Sequence, residues 1–230
     1  MSTLWTLQRL YLLDTSSPDF LRNLHSLIRH DEKEQYLSTL QGPRLARLVD
    51  FLDKVRAVPS TFLQFMKKTP QALGAIHTTD DIARECLNKL QTICGHHATL
   101  PSSCIVSGGI ARVGDSPITL GSIVDVWEGT LYGKKVTIEG LRVHGGNYQA
   151  VKKVRIRCCT SSSRLFKNTQ SFFKEAVIWK RLRHPNIVPF IGVTIYPLQI
   201  ISESMPNGTL TEFIARNPDA SRIGLVSLSL

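Results

Sequence analysis

The chain has 230 residues, of which 42% are hydrophobic and 20% charged, enough apolar material for one large domain or two small ones. A net charge of +10 and a pI near 9.6 suit an acidic partner, but the basic clusters, Lys152, Lys153, Arg155 and Arg157 and then Lys180, Arg181 and Arg183, are not interleaved with aromatics as a base-stacking surface would be. No apolar run reaches the roughly eighteen residues of a membrane span and the N-terminus lacks a signal-peptide pattern, so an intracellular, cytoplasmic protein is expected, with nucleic acid a weak candidate as partner.

From Ser17 the pattern SPDFLRNLHSLI sets a cap residue before proline and then Phe20, Leu21, Leu24, Leu27 and Ile28 on one helical face. A short helix around Tyr36, Leu37 and Leu40 is expected to end at Gly42-Pro43. Another carries Leu45, Leu48, Val49, Leu52 and Val55 up to Pro59, and Ser60 to Met66 continues the theme. Thr79 to Cys94 forms a last helix with Ile82, Cys86, Leu90 and Ile93 as its stripe, and Gly95 is expected to end it. Residues 1–100 thus predict a helical module without chemistry, whose expected job is scaffold or protein contact. The five cysteines form no CxxC pair, and Cys94 with His96 and His97 reads better as a helix end followed by exposed loop histidines than as a metal site.

Residues 101–116, with Pro101 and Gly108-Gly109, read as a linker. Beyond it the periodicity changes to strands: Pro117 to Leu120, Val124 to Gly129, and Val136 to Glu139 after the turn Tyr132-Gly133-Lys134-Lys135. A polar stretch without periodicity, residues 144–170, reads as a loop insertion before a helix that carries Glu175, taken as buried. Strands near Val188 to Thr194 and Leu198 to Glu203, and a helix over Leu210 to Arg216, complete an α+β second half.

The strings DVWEGTLYGKKV, FKEAVIWKRLRHPNIVPFIGVT and ISESMPNGTLTEFI, in this order, resemble protein kinases of the tyrosine-kinase-like group, especially those expanded in mushroom-forming fungi. The resemblance implies that residues 117–219 are a kinase small lobe, a five-stranded antiparallel sheet with one helix, and it implies protein kinase activity with ATP and Mg as cofactors. Carried over onto this sequence, the glycine-loop pattern falls on Thr119, Gly121, Val124 and Val126, of which Gly121 and the adenine-covering Val126 keep the family's residue type. Ser202 takes the position guarding the back pocket, and Glu203, Ser204 and Met205 the hinge whose main chain would meet adenine. His184-Pro185-Asn186 is expected to turn the chain from helix to strand, not to catalyse.

One position departs in kind. The family's strand motif V-A-[IV]-K ends in the lysine that bridges the ATP phosphates and the helix glutamate. Here it reads Val136-Thr137-Ile138-Glu139, so a carboxylate faces the Glu175 position. Two like charges at contact distance near a protein surface repel by about 4 kcal/mol, where the family pair attracts by a similar amount. The expectation is that Glu139 turns outward to pair with Lys134 or Lys135. A relocated lysine, Lys152 or Lys153, is a weaker alternative. Residues 220–230 read as a truncated tail without catalytic loop or metal-binding aspartate, and a catalytically deficient kinase-like protein is the expectation, with a non-enzymatic scaffold as the alternative. Residues 154–170 and the end at Val226-Ser227 also admit encoding by splice-site-like codons; removing 154–170 leaves a family-like connector, and a retained intron and a genuine insertion stand level.

Overall fold

The computed structural model describes residues 39–55, 79–142 and 164–220, and divides the chain into two compact units, 1–103 and 104–230. The helices expected at Ser17 to Ile28 and Ser60 to Met66, and Lys152 and Lys153 with most of the insertion, lie outside the described residues.

In the first unit, α1 (Gly42–Val55) and α2 (Thr79–His97) pack against each other. Leu45, Leu48, Val49 and Leu52 of α1 are buried, as are Cys86, Leu90, Ile93 and Cys94 of α2, the three-and-four spacing of a single helical face. Gly42-Pro43 opens α1, where the sequence suggested the end of the preceding helix. Proline suits a first turn because its missing N–H has no helical partner to lose, and Gly42 enters at φ +59. Gly95 does not stop α2 as the sequence suggested. The helix runs on to His97 and is closed by Ala98 at φ +47, with the Thr99 N–H donating to the Cys94 carbonyl at 3.2 Å, the left-handed closure usually given to glycine. His96 and His97, expected in an exposed loop, therefore lie in the last helical turn, half-buried, their rings edge to face with centroids 4.9 Å apart. After α2 the Ser102 N–H donates to Asp50 Oδ1 at 2.6 Å and Ser103 Oγ to Asp53 Oδ2 at 2.7 Å, tying the exit of the unit to α1.

The second unit is an α+β lobe. Its strands are β1 (Ile110–Arg112), β2 (Thr119–Leu120), β3 (Val124–Leu131), β4 (Lys134–Leu141), β5 (Phe190–Thr194) and β6 (Gln199–Glu203). They form one antiparallel sheet in the order β1-β3-β4-β6-β5, with β2 also on β3. Five of the six strands stand where the sequence placed them. The sixth, β1, falls inside the span read as linker: three residues between glycines are too few to show alternation, and its pairing with Gly129, Thr130 and Leu131 is a tertiary event. Tyr132 and Gly133, at φ 48 and 81, make the two-residue turn between β3 and β4, both residues in the left-handed region that this hairpin demands.

Helix α3 (Arg164–Trp179) begins earlier than the sequence reading allowed. Residues 164–170, counted there as insertion, form its first turns. The buried set Thr169, Phe172, Phe173, Ala176 and Val177 shows why: the apolar stripe reaches back one turn once a threonine is admitted to it. Trp179 Nε1 donates to the Val188 carbonyl at 2.7 Å, fixing the helix end to the chain that enters β5. Between them His184 Nδ1 accepts from the Asn186 N–H at 3.1 Å and the His184 carbonyl from the Ile187 N–H at 3.0 Å, a local turn of the kind expected for His-Pro-Asn. Helix α4 (Leu210–Arg216) follows β6 and starts on a capping box, Thr209 with Glu212.

The strand period of two gives the sheet two distinct faces. On one, Val136, Ile138 and Ile201 are 2% exposed or less and pack with Ile110, Trp127 and Leu131. The other carries Val126, Thr137, Glu139, Ile200 and Ser202, in register across β3, β4 and β6.

Candidate functional site

Strand β4, KKVTIEGL, sets the site because its alternation sends Val136 and Ile138 to one face and Thr137 and Glu139 to the other. Register then assembles a row across the second face: Thr119 beside Val126, Val126 beside Glu139, Glu139 beside Ile200 and Ile200 beside Val193. A second row holds Glu128, Thr137 and Ser202. Adjacent strands lie about 4.8 Å apart, so Val126, Glu139 and Ser202, distant in sequence, share one small surface. Ser202 is 2% exposed within it.

Glu139 does not turn outward. It is half-buried and lines an open cavity of about 660 Å³ with Lys174, Glu175, Ile178, Trp179 and Leu182. Burial, and secondarily the Glu175 carboxylate, pushes its carboxyl above the ordinary value of 4.5. Strand geometry explains why the expected lysine pairs do not form. Lys134 projects from the opposite face, and Lys135, although on the same face, is four residues and about 13 Å along the strand. Lys135 instead meets Glu128, diagonally opposite on β3, at 3.1 Å.

The expectation for Glu175 is reversed as well. It is exposed, at the margin of the buried stripe formed by Phe172, Phe173, Ala176 and Val177, and it reaches the cavity from that margin. The two carboxylates are brought to one cavity, with the strand residue the more enclosed of the two. Lys174, beside Glu175 on the helix, adds one cation to the cavity wall.

Gly121 closes the tight connection from β2 to β3. Its N–H donates to the Val124 carbonyl at 3.0 Å, and a Cβ there would stand 2.2 Å from that oxygen, so no side chain is compatible with the turn. Next to it lies a pair that sequence reasoning missed. Arg142, just after β4, holds Asp125 through Nε at 3.1 Å to each carboxylate oxygen and through a further contact from Nη2. This hydrogen bonding draws the Asp125 carboxyl below its ordinary 3.8. In register Asp125 stands opposite Gly140, and the space at that glycine is approached by Arg112, whose Nη2 would lie 3.3 Å from a Cβ there.

The positions expected to act as the hinge line a second open cavity, of about 690 Å³. Glu203, Ser204 and Met205 line it together with His184, Leu210 and Phe213. The Glu203 N–H donates to the Pro189 carbonyl at 3.0 Å, and Met205 is 38% exposed. The strand-to-helix connector thereby presents main chain and a flexible apolar side chain, while the neighbouring cavity presents carboxylates.

Comparison with known proteins agrees with this geometry. Over 117 residues the chain is 33% identical to the "Probable serine/threonine-protein kinase SIS8" of Arabidopsis thaliana, and over 158 residues 28% identical to the "Tyrosine-protein kinase ABL2" of Mus musculus. These alignments take in 50% and 60% of this chain but only 10% and 13% of the two relatives, so the chain spans a small part of their length. Residues 116–228 match the family model of protein tyrosine and serine/threonine kinases, and the α+β elements described within that span are consistent with a fragment of a kinase small lobe.

Proposed function

We propose that the second unit is a kinase-like small lobe that does not hold Mg-ATP in a phosphate-transferring pose, and that the protein acts by binding other proteins. The observation that carries this reading is the placement of Glu139, half-buried in one cavity with Glu175. ATP with magnesium is the group that the family similarity implies. At the adenine end the residues fit: Val126 and Ser202 lie on the site's face, and hinge recognition depends on main-chain groups that side-chain variation leaves intact. At the phosphate end they do not. A polyanion would approach a carboxylate already enclosed at the expense of its hydration, next to a second carboxylate, where the family supplies an ammonium.

Among kinases, the tyrosine-kinase-like group expanded in mushroom-forming fungi is the branch that the strings around Glu175, His184 and Met205 favour. The helical unit, with its buried stripe and no catalytic constellation in its sequence, suits the contact role in a pseudokinase scaffold. Among the described residues no helix is long and apolar enough to cross a membrane, and buried thiols at Cys86, Cys94 and Cys104 suit a reducing, cytoplasmic setting.

A thermal-shift titration of the full chain with Mg-ATP tests the proposal. A ligand at about a hundredfold its dissociation constant raises stability by about 2.7 kcal/mol, a shift of several degrees in a unit of this size. The wild-type chain is expected to show none. A shift that appears only in Glu139→Lys assigns the exclusion to that residue, and a saturable shift in the wild type refutes the reading.

A further inference from the structure

The nine residues from Cys104 to Arg112 precede the kinase-matched span and belong to the second unit. They touch both ends of its sheet. At one end Ile105 bridges in parallel to Val193 of β5, and the Val106 N–H donates to the Val193 carbonyl at 2.9 Å. At the other, β1 pairs with Gly129, Thr130 and Leu131 of β3, and the Val113 N–H donates to the Glu128 carbonyl at 2.9 Å.

Reach makes this pairing restrictive. In a flat sheet, a strand beyond β5 and the β1 position are five strand spacings apart, about 24 Å. The four residue steps from Val106 to Ile110 extend to about 14 Å at most. The segment therefore holds both contacts only if the sheet curls toward it. Gly192 lets the segment approach β5: a Cβ there would lie 2.3 Å from Val106 Cγ2 and 3.0 Å from the Cys104 carbonyl oxygen. At the other end the space at Gly129 is taken first by Ile138 Cδ1, 2.2 Å from a Cβ there, and then by the Ala111 carbonyl oxygen at 2.9 Å. Midway, Gly108 and Gly109 at φ 82 and 75 turn the chain, and the Tyr132 ring lies so close to Gly109 that a Cβ there would fall 2.3 Å from it. Arg112 ends the segment with its guanidinium 4.5 Å from the centroid of the Trp127 ring.

We infer that Cys104–Arg112 is a clasp that couples the two edges of the sheet, so that release of either edge loosens the other. Residues 110–113 and β2 cover the outer edge of β3, and Ile105–Val106 covers β5 at Val193, which removes these edges as templates for strand addition by other chains. The lobe consequently offers partners its side-chain faces at these places.

Hydrogen exchange on the full chain, read by mass spectrometry at peptide level, tests the coupling. In Gly192→Val the new side chain displaces Val106 from β5. The expected result is faster exchange at Val106 and, in the same variant, roughly tenfold faster exchange at Tyr132 and Val113, whose N–H groups bond at the far end and touch neither Gly192 nor Val106. By reciprocity, Gly109→Val, which expels the Tyr132 ring, is expected to speed exchange at Val106. Peptides containing Ile138 and Ile201 serve as the internal reference. If Gly192→Val removes their protection as well, the comparison passes to the gentler Val106→Ala, with the same expectation at Tyr132 and Val113. Exchange that rises only at the mutated edge, in either variant, overturns the inference.

Discussion

Ile138 and Glu139 are neighbours in β4 and stand on opposite faces of one sheet, and the two faces differ in what they hold. The Ile138 face is closed, with Val136 and Ile201 beside it and Ile110, Trp127 and Leu131 packed around them. The Glu139 face brings Val126, Ile200, Thr137 and Ser202 into register around a half-buried carboxylate, and on the reading proposed above it is the face where a kinase would hold nucleotide. Packing constrains shape and volume, and the first face meets both constraints. Phosphoryl transfer constrains charge at single atoms, and in the proposed reading the second face departs from that constraint at Glu139.

The contrast is open to breakage by substitution, and the largest effect belongs to the packed face. Ile138→Ala removes a fully buried side chain and is expected to cost about 2–5 kcal/mol, read as a lower midpoint in denaturant unfolding of the second unit. A loss under about 1 kcal/mol would mean that this face is not the core it resembles.

Next in size, and opposite in sign, is Glu139→Gln. The folded protein holds the Glu139 carboxyl above its ordinary 4.5, so it binds this proton more tightly than the unfolded chain does. The wild type therefore suffers no penalty below that ordinary value and loses stability as pH rises through the folded value. Glutamine carries no charge, and its advantage is expected to be absent near pH 4, to grow with pH and to be complete at neutral pH, at about 1 kcal/mol or less. Paired thermal melts across that range check it. An advantage independent of pH would remove the electrostatic account.

The smallest effect is expected on the same face, nearer solvent. The Lys135–Glu128 pair spans 3.1 Å, but its side chains are 77% and 41% exposed, and Lys135→Ala is expected to change stability by no more than about 0.5 kcal/mol. A larger loss would show that the rim of the site bears on the fold.

Much of this was legible in the sequence, and the exceptions have physical causes. Strands β3 to β6, helix α4 and the α2 stripe follow local periodicity and turn chemistry, which one chain displays without its neighbours. Strand β1 was hidden because its partner lies some twenty residues away and its three residues carry no alternation. The early start of α3 was hidden because Thr169, buried in its stripe, is a residue type that reads as loop until its burial is known. For the site, identity was legible and direction was not. The motif alone suggests reading Glu139 at the lysine position, but its enclosure, and the exposure of Glu175, depend on strand parity and on where the helix stripe ends. The Asp125–Arg142 pair needed the register of two strands before it could be seen.

The central claim is that the carboxylate of Glu139 excludes phosphates from a site otherwise built on the kinase plan. Isothermal calorimetry of the full chain with Mg-ATP tests it most directly. The account predicts no saturable heat for the wild type at millimolar nucleotide. Saturable binding by the wild-type chain that Glu139→Lys leaves unchanged would contradict it.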